Sequence, residues 1–153
     1  MNSSETTDST SRKYLSRKYL SFSLVPEQKR IKGFTATQWH IHDLAPGDIG
    51  PQVLALQLYM TERAAYRFNL NSPSPRLFVR AGFSGQAPDP TALTASQEVA
   101  AGWMDGEQQV LEVAMPTAIQ LWLEAYLAHH GEAPDEGRKK KRKGAGRAQE
   151  NQT

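Results

Sequence analysis

Residues 116–131, PTAIQLWLEAYLAHHG, carry the clearest helical pattern in the chain. Pro116 suits the first position of a helix, where its missing N–H costs no hydrogen bond, and Gly131 and Pro134 stop the pattern. Apolar side chains recur with the spacing of a buried helical face at Ile119, Trp122, Leu123, Tyr126 and Leu127. The sequence therefore predicts a long helix over 116–130.

A shorter helix is predicted upstream of it. Thr94 followed by Gln97 matches a capping box, and Gly106 stands where a helix C-cap is expected. One helical stripe between them carries Val99, Ala100, Trp103 and Met104. The segment 109–113, between the two helices, is typical of a short strand.

The first half of the chain has a different period, since its apolar residues alternate with polar ones as in strands. Five segments show this alternation: 20–24, 38–42, 53–60, 66–70 and 77–83. Segment 53–60 is apolar on both faces, which indicates a central strand. Pro26 is expected to end the first strand, 27–33 has the composition of a turn or exposed edge, and 61–65 is expected to turn the chain.

Short connections favour antiparallel pairing, because parallel strands need long crossovers. The sequence thus predicts an α+β fold: a mainly antiparallel sheet of about five to six strands, with two helices in the C-terminal third.

Composition divides the chain into three parts. Residues 1–19 form a Ser/Thr-rich leader, residues 20–131 a single globular domain and residues 132–153 a basic tail; the two ends carry a net charge of +5 and the domain −3. Both ends are interpreted as disordered, because blocks of like charge stay solvated. The motif SRKYL at 11–15 is repeated at 16–20. We interpret it as a replication slip, with a second docking motif as the alternative.

Several function classes lose support from the sequence. The chain has no cysteine, which excludes disulfides, thiolate metal sites and cysteine nucleophiles. It also lacks the phosphate-binding, dinucleotide-binding and hydrolase signatures. His40 and His42 share a strand face beside Asp43, but no further ligand completes a set, so both are interpreted as exposed polar residues. Neither a metal nor a cofactor is assigned.

Targeting signals are not apparent either. The N-terminus carries Glu5 and Asp8 instead of a basic flank before an apolar run, so no secretory signal is expected. The longest uncharged run is shorter than the ~20 apolar residues that cross a bilayer. We expect a cytoplasmic protein without a membrane span.

The tail suggests weak, nonspecific polyanion contact through Arg138, Lys139, Lys140, Lys141, Arg142 and Lys143. It has no aromatic residue for base stacking. A nucleic-acid-binding regulator acting through this tail remains an alternative.

Several phrases, in order and at compatible spacing, resemble an uncharacterised bacterial family known as domain of unknown function 3305. The main ones are LYMTERAAYRFNL at 58–70, SPSPRLFV at 72–79 and MDGEQ at 104–108. Further matching positions are Phe34, Trp39, LTAS at 93–96, Glu98, Ala100, VAMP at 113–116, Trp122 and the basic tail. The resemblance spans about residues 20–143.

The resemblance implies an association with respiratory molybdenum- or tungsten-dependent formate dehydrogenases, beside whose genes members are commonly encoded. It supplies no catalytic residues. The resulting expectation is a non-enzymatic accessory protein that contacts a formate dehydrogenase subunit or its maturation machinery; a small cofactor-handling protein is another alternative. The expected interaction surface comprises Glu62, Tyr66, Asn69, Asp105, Gly106 and Glu107, each of which could instead be a turn or cap requirement.

Overall fold

The structure, a computed structural model, describes residues 16–134. Its strands are β1 (Arg17–Ile31), β2 (Phe34–Pro46), β3 (Gln52–Gln57), β4 (Arg76–Phe83), β5 (Ala92–Thr94) and β6 (Gln108–Ala114). Its helices are α1 (Arg63–Leu70), α2 (Gln97–Asp105) and α3 (Thr117–His130), and a short 3₁₀ turn at Met60–Glu62 leads into α1.

The described strands form two antiparallel sheets of three strands each, with the orders β2-β1-β3 and β5-β4-β6. The mixed α+β class and the antiparallel pairing are confirmed, but two sheets replace the single sheet that was predicted. β3 lies at the edge of the first sheet and not at its centre. It contacts β5 of the second sheet, which accounts for its apolar residues on both faces.

One core fills the space between the sheets and the helices. All five residues of the predicted α3 stripe are buried, as are Leu20 and Phe22 of β1, Leu77 and Val79 of β4 and Tyr66 of α1. The bounds of α3 agree with the predicted helix to within one residue. Lys18 lies over the indole of Trp122, 5.2 Å from its centroid, so that the start of β1 is held against α3.

β1 does not end at Pro26, in contrast to the prediction. It pairs with β3 only from Arg17 to Phe22 and with β2 as far as Ile31. Pro26 therefore lies where β1 has a neighbour on one side only, which is where a strand tolerates a residue without an N–H. The turn itself is short and consists of Lys32 and Gly33, both with positive φ, at 51° and 87°.

Residues 66–70 form a helix and not the predicted strand. Tyr66 and Asn69 are buried three residues apart on one face of α1, whereas Phe68 between them is exposed. The alternation of Tyr66, Phe68 and Leu70 was misleading because positions four apart also share a helical face, and short segments do not separate the two periods. The predicted turn at 61–65 contains the 3₁₀ turn and the start of α1.

The N-cap of α2 lies two residues after Thr94, the N-cap predicted by the capping box. Ser96 is its N-cap, with Oγ accepting from the Val99 N–H at 3.2 Å. Thr94 ends β5, and its hydroxyl accepts from the Ser96 N–H at 3.0 Å. Ser96 and Val99 have the same three-residue separation as Thr94 and Gln97, so the sequence offers two adjacent caps. Gly106 is the C-cap, as predicted.

The described residues begin inside the repeat, whose second copy supplies the start of β1. The first copy at 11–15 and the basic cluster at 138–143 lie outside the described residues. The domain boundaries stay a prediction.

Candidate functional site

Three residues of the predicted interaction surface lie at or in α1: Glu62 ends the 3₁₀ turn before it, and Tyr66 and Asn69 are on its inner face. The Tyr66 hydroxyl accepts from the Tyr59 N–H at 2.9 Å and donates to Glu62 Oε1 at 2.9 Å. Burial raises the pKa of Tyr66 far above its ordinary value, so the phenol stays neutral. Tyr66 is a core residue that ties the entry of α1 to its first turn, which corrects its placement on a contact surface.

Asn69, also buried, joins the end of α1 to two neighbouring segments. Its Nδ2 donates to the carbonyls of Arg76 and Ala95 at 2.7 and 2.9 Å, and its Oδ1 accepts from the Arg76 N–H at 3.0 Å. A buried amide with its donors and acceptor used in this way fixes backbone. Asn69 therefore serves the fold, and its placement on a contact surface is likewise corrected.

Arg63, at the start of α1, holds the end of α3. Its Nη1 donates to the carbonyls of His130 and Gly131 at 3.1 and 2.8 Å, and its Nε donates to the Met60 carbonyl at 2.9 Å. The last carbonyls of a helix have no partner within it, and a cation placed there also complements the helix dipole. Sequence reasoning missed this role, because nothing local links residues 63 and 130.

Arg67 connects the same two helices one turn further along. Its guanidinium contacts Glu124 in a bidentate pair, at 2.9 and 3.1 Å, and Glu132 at 2.8 Å. The hydrogen bonds from Arg67 hold the pKa of Glu124 below its ordinary value. Arg63, Arg67 and Asn69 thus locate α1 against α3, β4 and the β5–α2 connection. Tyr66, with Glu62 as its acceptor, fixes the entry of the helix.

The outer face of α1 lines a groove of about 660 Å³ against α2. Small apolar side chains form much of it, at Ala64, Ala65 and Ala101. Phe68 is its largest apolar group and is 68% exposed. One cation and one carboxylate, Arg67 and Glu98, also line the groove. The arrangement suits a mainly apolar ligand or side chain.

The second predicted cluster, Asp105, Gly106 and Glu107, is exposed at the end of α2. Glu107 has a positive φ of 66°, and its N–H donates to the Met104 carbonyl at 2.9 Å while its carbonyl accepts from the Ser84 N–H at 3.3 Å. The three residues close α2 and turn the chain into β6. They are available for contact but lie on a different element from Glu62.

The histidines do not form a metal site within residues 16–134, where no three His, Cys, Asp or Glu side chains come together in a suitable group. His40 Nε2 lies 2.7 Å from Glu27 Oε1 across the β1–β2 pair, and His42 is exposed on β2. His130 contacts Tyr126 near the end of α3, with ring centroids 4.5 Å apart and the ring planes tilted by 56°.

Another surface feature is the distal half of the β1–β2 hairpin, which contains the segment 27–33 that the sequence indicates as a turn or exposed edge. We call residues 26–38 the arm. Its residues are exposed apart from Ala36, which is half-buried. It carries the cations Lys29, Arg30 and Lys32 with two exposed apolar residues, Ile31 and Phe34. The sequence does contain a signal for the arm, namely its polar run at 27–33. This run continues the register of β1 with β2, in which Ile31 pairs with Phe34.

None of the helices described between residues 16 and 134 is long and apolar enough to cross a membrane.

A family model described as "Protein of unknown function (DUF3305)" matches residues 25–143. No curated protein and no solved structure matches the chain. The matched range includes the arm, the groove and both helices that form it.

Proposed function

The chain belongs to the DUF3305 family of proteins of unknown function, and we propose that it is a non-enzymatic accessory protein acting by protein–protein contact. Its proposed partner is a molybdenum- or tungsten-dependent formate dehydrogenase, or the machinery that assembles or matures one. The partner follows from the family resemblance of the sequence. The groove between α1 and α2 supports the proposed mode of action.

The observation that carries the mode of action is Phe68. Its ring is 68% exposed although it borders a groove lined by three alanines. Large apolar side chains that border a concave apolar surface are typical of protein contact sites. Hydrogen bonds within the protein fix α1 in place; they are made by Tyr66, Asn69, Arg63 and Arg67. The groove wall is therefore rigid, and binding requires little reorganisation.

The polar residues of α1 support contact over catalysis. Tyr66, Asn69 and Arg67 form hydrogen bonds with partners within the protein. A general acid or base needs a free position within hydrogen-bond reach of a substrate. These side chains instead stabilise the helix that presents Phe68.

The test is complementation of formate dehydrogenase activity in a strain that lacks this protein. Phe68→Gln removes the exposed ring and retains a good helix former. Leu121→Gln is the matched control, because Leu121 is a 65% exposed apolar residue on α3. We expect Phe68→Gln to lose most of the rescue and Leu121→Gln to keep it, at equal expression and melting temperature.

Two further arms separate the alternatives. A chain ending at residue 134 should retain rescue, whereas loss of rescue with retained folding would favour a nucleic-acid-binding role of the basic tail. Unchanged formate dehydrogenase activity in the deletion strain, without any added protein, would remove the proposed role.

A further inference from the structure

The arm extends past the part of the hairpin that packs on the core. β1 loses its pairing with β3 after Phe22, and from there to Ile31 its only neighbour in the described residues is β2. The part of the hairpin that packs on the core has buried side chains, such as Leu20, Phe22 and Ile41. The arm has none. A two-stranded ribbon without a packed face is marginal in water by itself. Its length is thus not explained by the core.

The tip of the arm presents two apolar side chains together. Ile31 and Phe34 are directly paired across the strands, which puts both on one face, and they are 46% and 72% exposed. Lys29 shares this face through its pairing with Ala36, and Lys32 adjoins it in the turn. The tip is therefore an apolar pair bordered by ammonium groups.

The turn has a lysine, Lys32, at a position whose backbone conformation does not favour that residue. Two-residue turns with positive φ at both positions prefer Asn, Asp or Gly, yet Lys32 occupies the first position with φ 51°. A lysine in the left-handed region is less stable there than asparagine. Such local strain is typical of functional segments.

Charge identifies the kind of partner. Residues 26–38 carry a net charge of +2, whereas residues 39–134 carry −6. We propose that the arm is a docking element for an acidic protein surface, and that Ile31 and Phe34 enter an apolar pocket of the partner whose rim carries carboxylates. The apolar pair supplies the desolvated contact. Lys29 and Lys32 supply register at the rim, and all three cations supply steering.

Two other occupants fit less well. The groove of a second copy is lined by one carboxylate, Glu98, and one guanidinium, Arg67, and does not complement three cations. Nucleic acid would meet the acidic remainder of the described domain, and Phe34 is the one aromatic residue of the tip, whereas single-strand binding uses several stacking rings.

The inference concerns the class of partner and does not require that partner to be a formate dehydrogenase. The test is photo-crosslinking of the full chain in its native cells, with p-benzoylphenylalanine at position 34. Position 83 is the matched control, because Phe83 is also exposed near a strand end, at 60%.

We expect one main protein adduct at position 34 and not at position 83, with the crosslinked peptide containing apolar residues beside Asp or Glu. Lys29→Glu with Lys32→Glu should reduce its yield about tenfold through charge repulsion. Lys32→Asn should reduce it less and cannot act through misfolding, since asparagine suits the turn.

Several results would overturn the inference: a nuclease-sensitive adduct, an adduct with a second copy, equal yields at positions 34 and 83, or a yield that charge reversal leaves unchanged. The identity of the adduct separates this inference from the proposed function. An acidic protein unrelated to formate dehydrogenase would support the arm, and the proposed partner of the groove would still be decided by the complementation test. A formate dehydrogenase component would support both.

Discussion

The two halves of the β1–β2 hairpin share strands and register but have opposite surroundings. In the first half, Leu20, Phe22 and Ile41 are buried against the second sheet and the helices. In the arm, the corresponding positions are Gln28, Arg30 and Thr37, all exposed. The pairing of β1 with β2 continues across the boundary at Pro26.

The difference shows that strand length and burial are set separately. Cross-strand hydrogen bonds and a two-residue turn are sufficient to extend the ribbon once its base is fixed, whereas burial ends where β3 stops pairing. The base supplies stability, and the arm places side chains away from the domain. Mutations in the two halves should therefore have unequal effects on folding.

The largest expected difference comes from matched truncations on β1. Leu20→Ala should lower the free energy of unfolding by about 2–5 kcal/mol, because it removes a fully buried side chain and leaves a cavity. Ile31→Ala should cost less than about 0.5 kcal/mol. Urea denaturation of both variants measures the contrast. Equal losses would show that the arm packs against the domain.

Truncating a buried polar residue and an exposed one should show the same contrast in stability loss, with a smaller difference. Asn69→Ala leaves the Arg76 N–H and the Arg76 and Ala95 carbonyls without their side-chain partner, so we expect a loss of about 2 kcal/mol. Gln28→Ala removes an exposed bond to Thr37 and should be neutral within about 0.5 kcal/mol. Thermal melts followed by circular dichroism give both values. A neutral Asn69→Ala would indicate that water replaces the amide.

Lys32→Asn should stabilise the protein, whereas Leu20→Ala and Asn69→Ala should destabilise it. Asparagine tolerates the left-handed conformation better than lysine, so a gain of about 0.5–1 kcal/mol is expected. Urea midpoints of the two proteins test it, with Lys29→Asn as the control outside the turn. A loss of stability would mean that the Lys32 side chain makes a contact that offsets its strain.

The smallest expected effect concerns acid stability. The pKa of Glu124 is lowered in the folded state by Arg67, so the pair stabilises the protein above the ordinary glutamate pKa of about 4.3, and this contribution is lost as the pH falls through the folded pKa. Glu124 is half exposed, which limits the effect to about 1 kcal/mol or less. Glu124→Gln should therefore flatten the fall in melting temperature between neutral and acidic pH, and Lys29→Gln on the arm should not.

The elements with long, uniform patterns were predictable from the sequence. The α3 stripe combines five apolar positions with proline and glycine at its ends, and β4 has apolar residues at every second position from Leu77 to Phe83. The α1 segment was not predictable in the same way, because its eight residues fit both periods. The burial of Tyr66 and Asn69 in the folded protein decides the helix. The bond from Asn69 to the Ala95 carbonyl, 26 residues away, is not visible in the local sequence pattern.

The candidate site was less accessible to sequence reasoning for a related reason. The sequence indicates Glu62, Tyr66 and Asn69 as patterned positions, but a pattern does not distinguish a buried anchor from a contact residue. The groove depends on how α1 lies against α2, and the arm depends on where β3 stops. Both are properties of packing between segments that are far apart in the chain.

The Arg63 clamp has a consequence for the order and speed of folding. Its bond to the His130 carbonyl joins residues 67 positions apart, a closure whose entropic cost delays it until the sheets and α1 are in place. The β1–β2 hairpin, with its two-residue turn, needs no such closure. Arg63→Ala should therefore speed unfolding and leave the refolding rate nearly unchanged. Stopped-flow measurements over a range of urea concentrations separate the two rates. A slower refolding rate would place the clamp in the transition state and α3 among the first elements to dock.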